Sequence, residues 1–321
     1  MNLRLGVLGT SAIGVAHVRN FCALPGVSVV SVYSRDRQRA ANFARVCGIK
    51  HYTTELDEIL ENGAIDAALI TTEPSRHIDL ARKCCAADKH VLIEKPVDVD
   101  LAKARQFAKE LAQTRTTVSV VSQMRFDPAL TLLHGRLRTV LGTSPLIAAM
   151  SVMRRRDQSY YAHGSGWRAR SPFFENQGIH WIDVLGWFFG SPSGVQRSSR
   201  ITRPFLTSPD QSGALVEFDS GAAVSLIGGS FCNQDHVDSF RIFGAAGSWD
   251  YRKERSRSLS KVGKLAPFLE RLEGRFFRKD DLYRQAVDFS DAIRRNRPPT
   301  TTLDQAISAL ALAQEVSGLE R

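Results

Sequence analysis

The N-terminal stretch of this chain contains the sequence feature that most restricts its fold. Residues 3–8 (LRLGVL) show a short apolar strand pattern, the turn 9–14 (GTSAIG) follows at once, and residues 15–24 show a helical pattern. A strand, a glycine-containing turn and a helix in this order form the phosphate-binding unit of dinucleotide-binding folds. The sequence therefore predicts a dinucleotide cofactor site at this turn, with a plain strand-to-helix turn as the alternative.

The residue types in the turn match the tasks that pyrophosphate binding sets. Gly9 makes the tight turn, a small residue at position 11 admits the pyrophosphate, and Gly14 lets the helix pack closely on the strand. Ser11 replaces the usual middle glycine, and its small side chain still leaves room for phosphate. The predicted cofactor-binding residues of the turn are Gly9, Thr10, Ser11, Ala12, Ile13 and Gly14.

Strand and helix patterns alternate along the first part of the chain. Apolar strand patterns recur at residues 27–33, 64–72, 91–96 and 117–122, with helical patterns between them. Such alternation is typical of a doubly wound parallel sheet. The fold class is α/β, and residues 1–122 are predicted to form a Rossmann dinucleotide-binding domain.

The end of the second predicted strand bears on the choice of cofactor. An NAD enzyme carries Asp or Glu about 20 residues after the turn, for the ribose 2′-hydroxyl. This chain has Ser34 there, followed by Arg35. Because Arg presents a planar set of donors to a phosphate, Ser34 and Arg35 favour NADP, and NAD stays the alternative.

A lysine follows the most apolar of these strands. Residues 91–96 (VLIEKP) predict a buried parallel strand that places Glu94 and Lys95 at its carboxyl edge. Ligands of open α/β sheets bind at that edge, so Lys95 is well placed for proton transfer. The competing interpretation of an isolated Glu-Lys pair is a solvated surface ion pair.

From residue 123 onward the patterns change. Longer strand patterns at 146–153, 213–218, 222–228 and 239–243 predict a C-terminal α+β domain, 123–321, with a large, mostly antiparallel sheet. A basic stretch at 252–278 is predicted to be a mobile insertion. A final helix at 303–319 carries a stripe of Ala, Leu and Ile that predicts packing on the body of the protein.

With these motifs in place, the chain resembles the Gfo/Idh/MocA family of NAD(P)-dependent sugar and cyclitol oxidoreductases along nearly its whole length. The resemblance rests on the turn 9–14, on residues 72–77 (TEPSRH), on 94–96 (EKP) and on 175–183 (ENQGIHWID). It implies Lys95, His180 and Asn176 as the catalytic residues. It also implies further cofactor contacts from Thr72, Pro74, His77, Glu94 and Lys95.

The segment 175–189 is predicted to be one helix that presents Asn176, His180 and Asp183 on a single face. The family has a carboxylate four residues before the histidine, whereas this chain has Asn176 there and Glu175 beside it. The aromatic and polar loop before this helix suits a sugar pocket. The predicted substrate contacts are Tyr161, Trp167, Arg168, Glu175, Asn176 and His180.

Composition narrows the range of partners. The net charge of +10 attracts anions, but no nucleic-acid-binding motif accompanies it, so we expect a polar small-molecule substrate, with an anionic one as an option. The five cysteines lack metal-ligand spacing, and no metal site is predicted. No membrane span or signal segment is evident, which predicts a cytoplasmic protein. The resemblance implies a homodimer or homotetramer.

The leading functional hypothesis is hydride transfer between nicotinamide and a secondary alcohol or ketone of a sugar, cyclitol or related polyol. Lys95 is the predicted general acid and base, and His180 binds or relays a proton for the reacting oxygen. Two alternatives remain open. One is a cofactor-binding regulator or scaffold without turnover, and the other is a reductase of a non-sugar carbonyl or imine.

Overall fold

The structure is a computed structural model that describes residues 2–139, 145–162, 166–245, 247–253 and 281–318. The chain divides into two compact units. The first comprises Met1–Phe126 and Asp280–Ile307, and the second comprises Asp127–Lys279 and Ser308–Arg321. Each unit contains a six-stranded sheet. In the part of the chain that the structure describes, no helix has the length and apolar character needed to cross a membrane.

The sheet of the first unit is parallel and confirms the predicted Rossmann fold. Its strands are β1 (Leu3–Leu8), β2 (Val27–Tyr33), β3 (His51–Thr53), β4 (Ala67–Ile70), β5 (His90–Ile93) and β6 (Val118–Val120). They lie in the order β3-β2-β1-β4-β5-β6. Strand order therefore reverses between β1 and β4, and ligands of open parallel sheets bind at the carboxyl ends of strands beside such a reversal.

Helices connect these strands, and side-chain caps define where several of them begin. The helices are α1 (Ala12–Cys22), α2 (Arg37–Cys47), α3 (Asp57–Leu60), α4 (His77–Ala86) and α5 (Leu101–Leu111), with 3-10 turns at Pro74–Arg76 and Gln123–Phe126. Ser11, Asp36 and Asp100 each accept a hydrogen bond from a main-chain N–H in the first turn of α1, α2 and α5. Such caps satisfy N–H groups that a helix start leaves without partners.

The sheet of the second unit is mostly antiparallel, as predicted. Its strands are β7 (Leu146–Met153), β8 (Pro192–Arg200), β9 (Gln211–Phe218), β10 (Ala222–Gly229), β11 (Asp238–Gly244) and β12 (Gly247–Lys253). The order is β12-β11-β7-β10-β9-β8, and among the described strands of this second sheet only β7 and β10 pair in parallel. Strands β8 and β12 are missing from the prediction. Strand β8 carries many polar residues and lacks clear alternation, and the end of β12 overlaps the stretch 252–278 that is predicted to be an insertion.

The predicted helix 175–189 is interrupted in the structure. The second unit contains α6 (Pro128–Leu137), α7 (Gln158–Ala162), a 3-10 turn Trp167–Arg170, α8 (Phe173–Asn176) and α9 (Ile179–Phe189). At Gly178, between α8 and α9, an added Cβ would lie 2.3 Å from Cδ1 of Phe174. The Phe174 ring therefore occupies the side-chain space at the break. Asn176 and His180 belong to different helices, which corrects the prediction of one shared helical face.

The C-terminal helices differ from the predicted domain organisation. They are α10 (Asp281–Arg295) and α11 (Leu303–Ser317), and the boundary between the units falls inside α11, after Ile307. The prediction placed 280–307 in the second domain, but Phe289 of α10 is fully buried in the same core cluster as Leu3 and Phe21 of the first unit. The sequence analysis predicts no helix over Asp281–Arg295, and an amphipathic pattern alone does not show which sheet an apolar helix face covers. Most of the predicted insertion 252–278 lies outside the described residues.

The end of α11 is buried in the second unit. Leu310, Ala313 and Val316 are buried, and the Val316 carbonyl accepts a hydrogen bond of 3.1 Å from the Ser199 hydroxyl of β8. Within the first unit, Gln285 of α10 donates to the Val120 carbonyl of β6 at 2.9 Å and accepts from the Ser122 N–H at 3.2 Å. These bonds tie α10 to the edge strand of the parallel sheet.

Candidate functional site

The turn between β1 and α1 has the geometry that the sequence predicts. Gly9 has a φ of 108°, and an added Cβ would lie 2.9 Å from both the Thr71 carbonyl carbon and the Thr72 nitrogen. Side chains are strained at this φ, and the neighbouring atoms belong to the backbone. At Gly14 an added Cβ would lie 3.2 Å from the Phe43 ring and from Oγ1 of Thr71. Gly9 is therefore required by its backbone contacts and its φ, and a side chain at Gly14 would press on the Phe43 ring and the Thr71 hydroxyl.

The start of α1 is accessible beside this turn. The Ser11 hydroxyl oxygen accepts a hydrogen bond of 3.3 Å from the Gly14 N–H and so caps the helix. Thr10 and Ser11 are half-buried, and Ala12 and Ile13 are exposed. An open helix N-terminus presents main-chain N–H groups and a favourable dipole to an anion. The structure thus brings all six predicted residues of the turn together.

The end of β2 shows where Ser34 and Arg35 lie. Arg35 is exposed, and its guanidinium is 3.9 Å from the Glu73 carboxylate. Ser34 is half-buried, and its hydroxyl oxygen accepts from the Asp36 N–H at 3.3 Å. The Asp36 carboxylate, which is the first after β2, accepts from the Arg39 N–H at 3.0 Å and caps α2. This chain therefore has no carboxylate at position 34, and the Asp36 carboxylate two residues later caps α2.

Lys95 follows β5 in a tightly bonded segment. The preceding Glu94 is buried, and one of its carboxylate oxygens accepts from the Lys95 N–H at 2.9 Å. The other is 2.7 Å from Nε2 of His17 in α1. Lys95 itself is half-buried, and the Lys95–Pro96 peptide bond is cis. The competing interpretation of a solvated Glu94–Lys95 surface pair is wrong, because Glu94 is buried and bonded within the first unit.

His77 holds two loops at the same sheet edge. Its Nδ1 is 2.8 Å from the Pro96 carbonyl, and its Nε2 is 3.0 Å from the Thr72 carbonyl. Burial lowers the pKa of His77, against the raising effect of these carbonyls and of the Glu94 and Asp98 carboxylates. The ring is fully buried, so the structure gives His77 a loop-holding role instead of the predicted cofactor contact. Pro74 is also buried, whereas Thr72 is half-buried.

The second unit holds the other predicted catalytic residues. Asn176 is buried at the end of α8, and its Oδ1 accepts from the Tyr160 hydroxyl at 3.3 Å. Glu175 is buried, and one carboxylate oxygen lies 3.4 Å from the Ser171 hydroxyl. His180 is half-buried in the first turn of α9. Of these three side chains, His180 is the most accessible to a substrate.

Arginines stack on aromatic rings close to Asn176. The Arg168 guanidinium carbon is 5.0 Å from the centre of the Tyr160 ring and 5.1 Å from that of Trp167. The Arg156 guanidinium carbon lies 5.1 Å from the Tyr160 ring centre. Cation–π contacts of this kind hold a positive charge in a defined place. Trp167 and Arg168 are half-buried, which leaves both open to a polar ligand.

Tyr161, another predicted substrate contact, is committed to internal bonds. Its hydroxyl oxygen lies 2.6 Å from the Ser230 hydroxyl and accepts from the Arg203 guanidinium at 3.2 Å. Arg203 also pairs with the Asp210 carboxylate at 3.0 Å. Because Tyr161 is buried, it stabilises the loop instead of facing a ligand.

Two residues of these clusters are missing from the predicted site. His17 lies 77 positions before Glu94 and Tyr160 lies 16 before Asn176, so neither pairing is visible as a local motif. The one usable signal is that His17 comes one helical turn after Gly14 on the helix that starts the cofactor site.

Among the described residues, no group of three His, Cys, Asp or Glu side chains is arranged to hold a metal ion. Burial raises the pKa of the Cys84 thiol to about 12, which makes it a poor nucleophile.

Comparisons with known proteins bear on both units. A family model described as "Oxidoreductase family, NAD-binding Rossmann fold" matches residues 3–122. A second, described as "GFO/IDH/MocA C-terminal domain", matches residues 145–250. Together the two models match more than half of the chain.

Similar proteins span nearly the whole chain. A scyllo-inositol 2-dehydrogenase (NAD(+)) of Bacillus subtilis is 26% identical over 94% of this chain and 89% of its own length. The WlbA dehydrogenase of Bordetella pertussis, solved with NADH and UDP-GlcNAcA, has a TM-score of 0.85 at 19% identity, covering 98% of this chain and 95% of that one. A scyllo-inositol dehydrogenase of Lactobacillus casei, solved with NAD(H) and scyllo-inositol, has a TM-score of 0.79 at 17% identity, covering 99% and 96%.

Proposed function

The chain belongs to the GFO/IDH/MocA oxidoreductase family, and from that premise we propose that it transfers hydride between a nicotinamide cofactor and a ring carbinol of a cyclitol or related sugar. The observation that carries the proposal is Lys95, half-buried after β5 and anchored through its N–H to the buried Glu94 carboxylate. It stands at the carboxyl edge of a parallel sheet whose first strand leads into the Gly9 turn. The 26%-identical relative named for scyllo-inositol supports the substrate class.

Each proposed role follows from the chemistry of the side chain. In alcohol oxidation, the Lys95 amine accepts the hydroxyl proton while the carbinol hydrogen leaves as hydride, and the carbon becomes a carbonyl. The bound nicotinamide supplies the hydride acceptor at C4. In the reverse direction, the Lys95 ammonium donates the proton to the carbonyl oxygen. For the second unit, the family resemblance supports substrate-binding roles for His180, Asn176 and Glu175, and His180 has the most accessible side chain of the three.

The proposal is tested by initial rates of the purified protein with scyllo-inositol and with myo-inositol, each with NAD+ and with NADP+. We expect formation of reduced cofactor that depends on both the cyclitol and the enzyme. A protein that binds the cofactor tightly and yet turns over neither cyclitol would contradict the proposal. That outcome would favour the regulator or scaffold alternative.

A finer part of the proposal concerns the cofactor, since the relatives above are named for NAD(+) or hold NADH or NAD(H). We propose that this chain accepts NADP, with Arg35 as the contact to the 2′-phosphate. Three observations support this choice. Ser34 replaces the usual carboxylate, the Asp36 carboxylate is bonded to the start of α2, and the Arg35 side chain is exposed. An Arg guanidinium pairs well with phosphate.

Replacing Arg35 with alanine is expected to weaken NADPH binding at least about tenfold, because one charge-assisted contact contributes about 1.5–3 kcal/mol and 1.4 kcal/mol is a factor of ten. NADH binding is expected to stay within about twofold of the parent. Fluorescence titration with each cofactor measures both affinities. Arg39→Ala is the matched control, since Arg39 is also exposed and pairs only weakly, at 3.6 Å, with Asp36. If Arg35→Ala weakens NADPH and NADH binding equally, Arg35 does not contact the 2′-phosphate.

The predicted anionic substrate, homo-oligomer and cytoplasmic location also stay proposals. The Arg168 stack on Tyr160 favours a carboxylate or phosphate on the sugar, whereas the Arg156 guanidinium is already paired with the Asp235 carboxylate at 3.0 Å. An apolar patch on one face of the second sheet favours a partner subunit. It consists of Ile147, Leu215, Ile227 and Phe243, whose exposed fractions range from 39% to 63%. Ile147 and Phe243 are directly paired across β7 and β11, so they share that face.

A further inference from the structure

A buried acid–imidazole pair links helix α1 to the residue before Lys95. His17 and Glu94 are 1% and 5% exposed, and Nε2 of His17 is 2.7 Å from Oε1 of Glu94. A carboxylate is costly to bury unless hydrogen bonds or an opposite charge compensate for the lost water. The His17 N–H and the Lys95 N–H supply one donor to each carboxylate oxygen. The orientation of this carboxylate is therefore fixed from two sides.

The main chain at Lys95 is held through the same carboxylate. Oε2 of Glu94 accepts from the Lys95 N–H at 2.9 Å, and the Glu94 N–H donates to the Ile70 carbonyl of β4, also at 2.9 Å. On the other side of Lys95, the Pro96 carbonyl is 2.8 Å from Nδ1 of His77. Loss of the His17 bond removes one of the two hydrogen bonds described above, and the Glu94 carboxylate then holds the Lys95 N–H less firmly. The position of the lysine then depends on His17, although the two do not adjoin in sequence.

We propose that His17 is a positioning residue for Lys95, acting through the Glu94 carboxylate. The inference rests on the proposed role of Lys95 as general acid and base. Because His17 lies one turn after Gly14, the helix that begins at the cofactor turn also sets the proton-transfer group. Small misplacements of a catalytic group reduce turnover strongly, by up to about a hundredfold for 1 Å. The long, flexible lysine side chain absorbs part of the shift, so we expect about a tenfold loss.

The competing explanation is that His17 and Glu94 affect turnover independently, and a double-mutant cycle separates the two. His17→Leu removes the donor, and His17→Gln keeps an N–H donor at similar reach. Glu94→Gln keeps the shape but leaves one acceptor oxygen for two donors. If His17 acts through Glu94, the His17→Leu/Glu94→Gln double variant is expected to lose no more turnover than Glu94→Gln alone. If the two residues act independently, the turnover losses of the two single variants multiply in the double variant.

The measured quantities are kcat with scyllo-inositol, the NADH dissociation constant and the exchange rate of the Lys95 amide hydrogen by mass spectrometry. For His17→Leu we expect kcat to fall about tenfold, NADH affinity to stay within about twofold and the Lys95 amide to exchange faster. His17→Gln is expected to restore most of the turnover. His51→Leu is the matched control, since His51 is exposed on β3 of the same unit.

If His17→Leu does not fold, His17→Asn gives the same test, because its amide is too short to reach Glu94. The amide exchange rate needs no turnover and therefore reports on the link even with a poor substrate. Unchanged kcat and unchanged Lys95 exchange in a folded His17 variant would overturn the inference, as would multiplicative losses in the cycle. Near-normal turnover by Lys95→Met would instead show that Lys95 is not the general acid and base, which is the premise of the inference. Failure of the inference and failure of the proposed function therefore give different results.

Discussion

Replacing Lys95 with methionine is expected to lower kcat at least about a hundredfold, the lower range of general acid–base contributions. Methionine is unbranched and of similar length, so it fills the same space without a group that exchanges protons. The anchoring bond from the Lys95 N–H to Glu94 belongs to the backbone and survives the change. NADH affinity is therefore expected to stay within about twofold of the parent.

Initial rates with a cyclitol and fluorescence titration with NADH measure the two quantities. Lys50→Met is the matched control, since Lys50 is exposed in the same unit. A Lys95→Met variant that keeps near-normal turnover would exclude Lys95 as the acid–base group. A variant that loses NADH binding together with turnover would show that the residue supports the cofactor site instead.

Replacing Gly9 with alanine is the second change with a large expected effect. Its φ of 108° is unfavourable for any side chain, and the new Cβ would lie 2.9 Å from backbone atoms of Thr71 and Thr72. Strain of this kind costs about 1–3 kcal/mol. To relieve the strain, the turn 9–14 must move away from Thr71 and Thr72, and this movement changes the shape of the proposed pyrophosphate site. At 1.4 kcal/mol per factor of ten, 2 kcal/mol corresponds to about thirtyfold weaker NADH binding.

Fluorescence titration with NADH and the midpoint of urea unfolding check this prediction. Gly63→Ala is the matched control, because no atom lies within 4 Å of the Cβ that it would add. If Gly9→Ala binds NADH as tightly as Gly63→Ala and unfolds at the same midpoint, the turn does not require glycine. That result would weaken the assignment of the turn as the pyrophosphate cradle.

Local features of the fold were predictable because neighbours along the chain determine them. The Gly9 turn and the placement of Lys95 after a buried strand each depend on residues close in sequence. The parallel sheet follows from the alternation of strands and helices. Helix α10 has no counterpart among the predicted elements, and the structure places it in one core with Leu3 and Phe21.

The candidate site was less predictable where distant residues meet. The bond between His17 and Glu94 joins positions 77 apart, and no spacing rule reveals it. Tyr161 has the residue type of a sugar contact, yet Ser230 and Arg203 take up its hydroxyl. The Gly178 break depends on where the Phe174 ring packs. In each case tertiary packing decides whether a suitable residue type faces a ligand or the interior.

The most direct test of the central claim is to follow the transferred hydrogen. The protein is incubated with NAD+ or NADP+ and with scyllo-inositol or myo-inositol deuterated at the ring carbons, and the reduced cofactor is analysed by mass spectrometry. We predict reduced cofactor carrying deuterium at nicotinamide C4, and none with Lys95→Met on the same time scale. Tight binding of the cofactor without deuterium transfer from either cyclitol would contradict the claim.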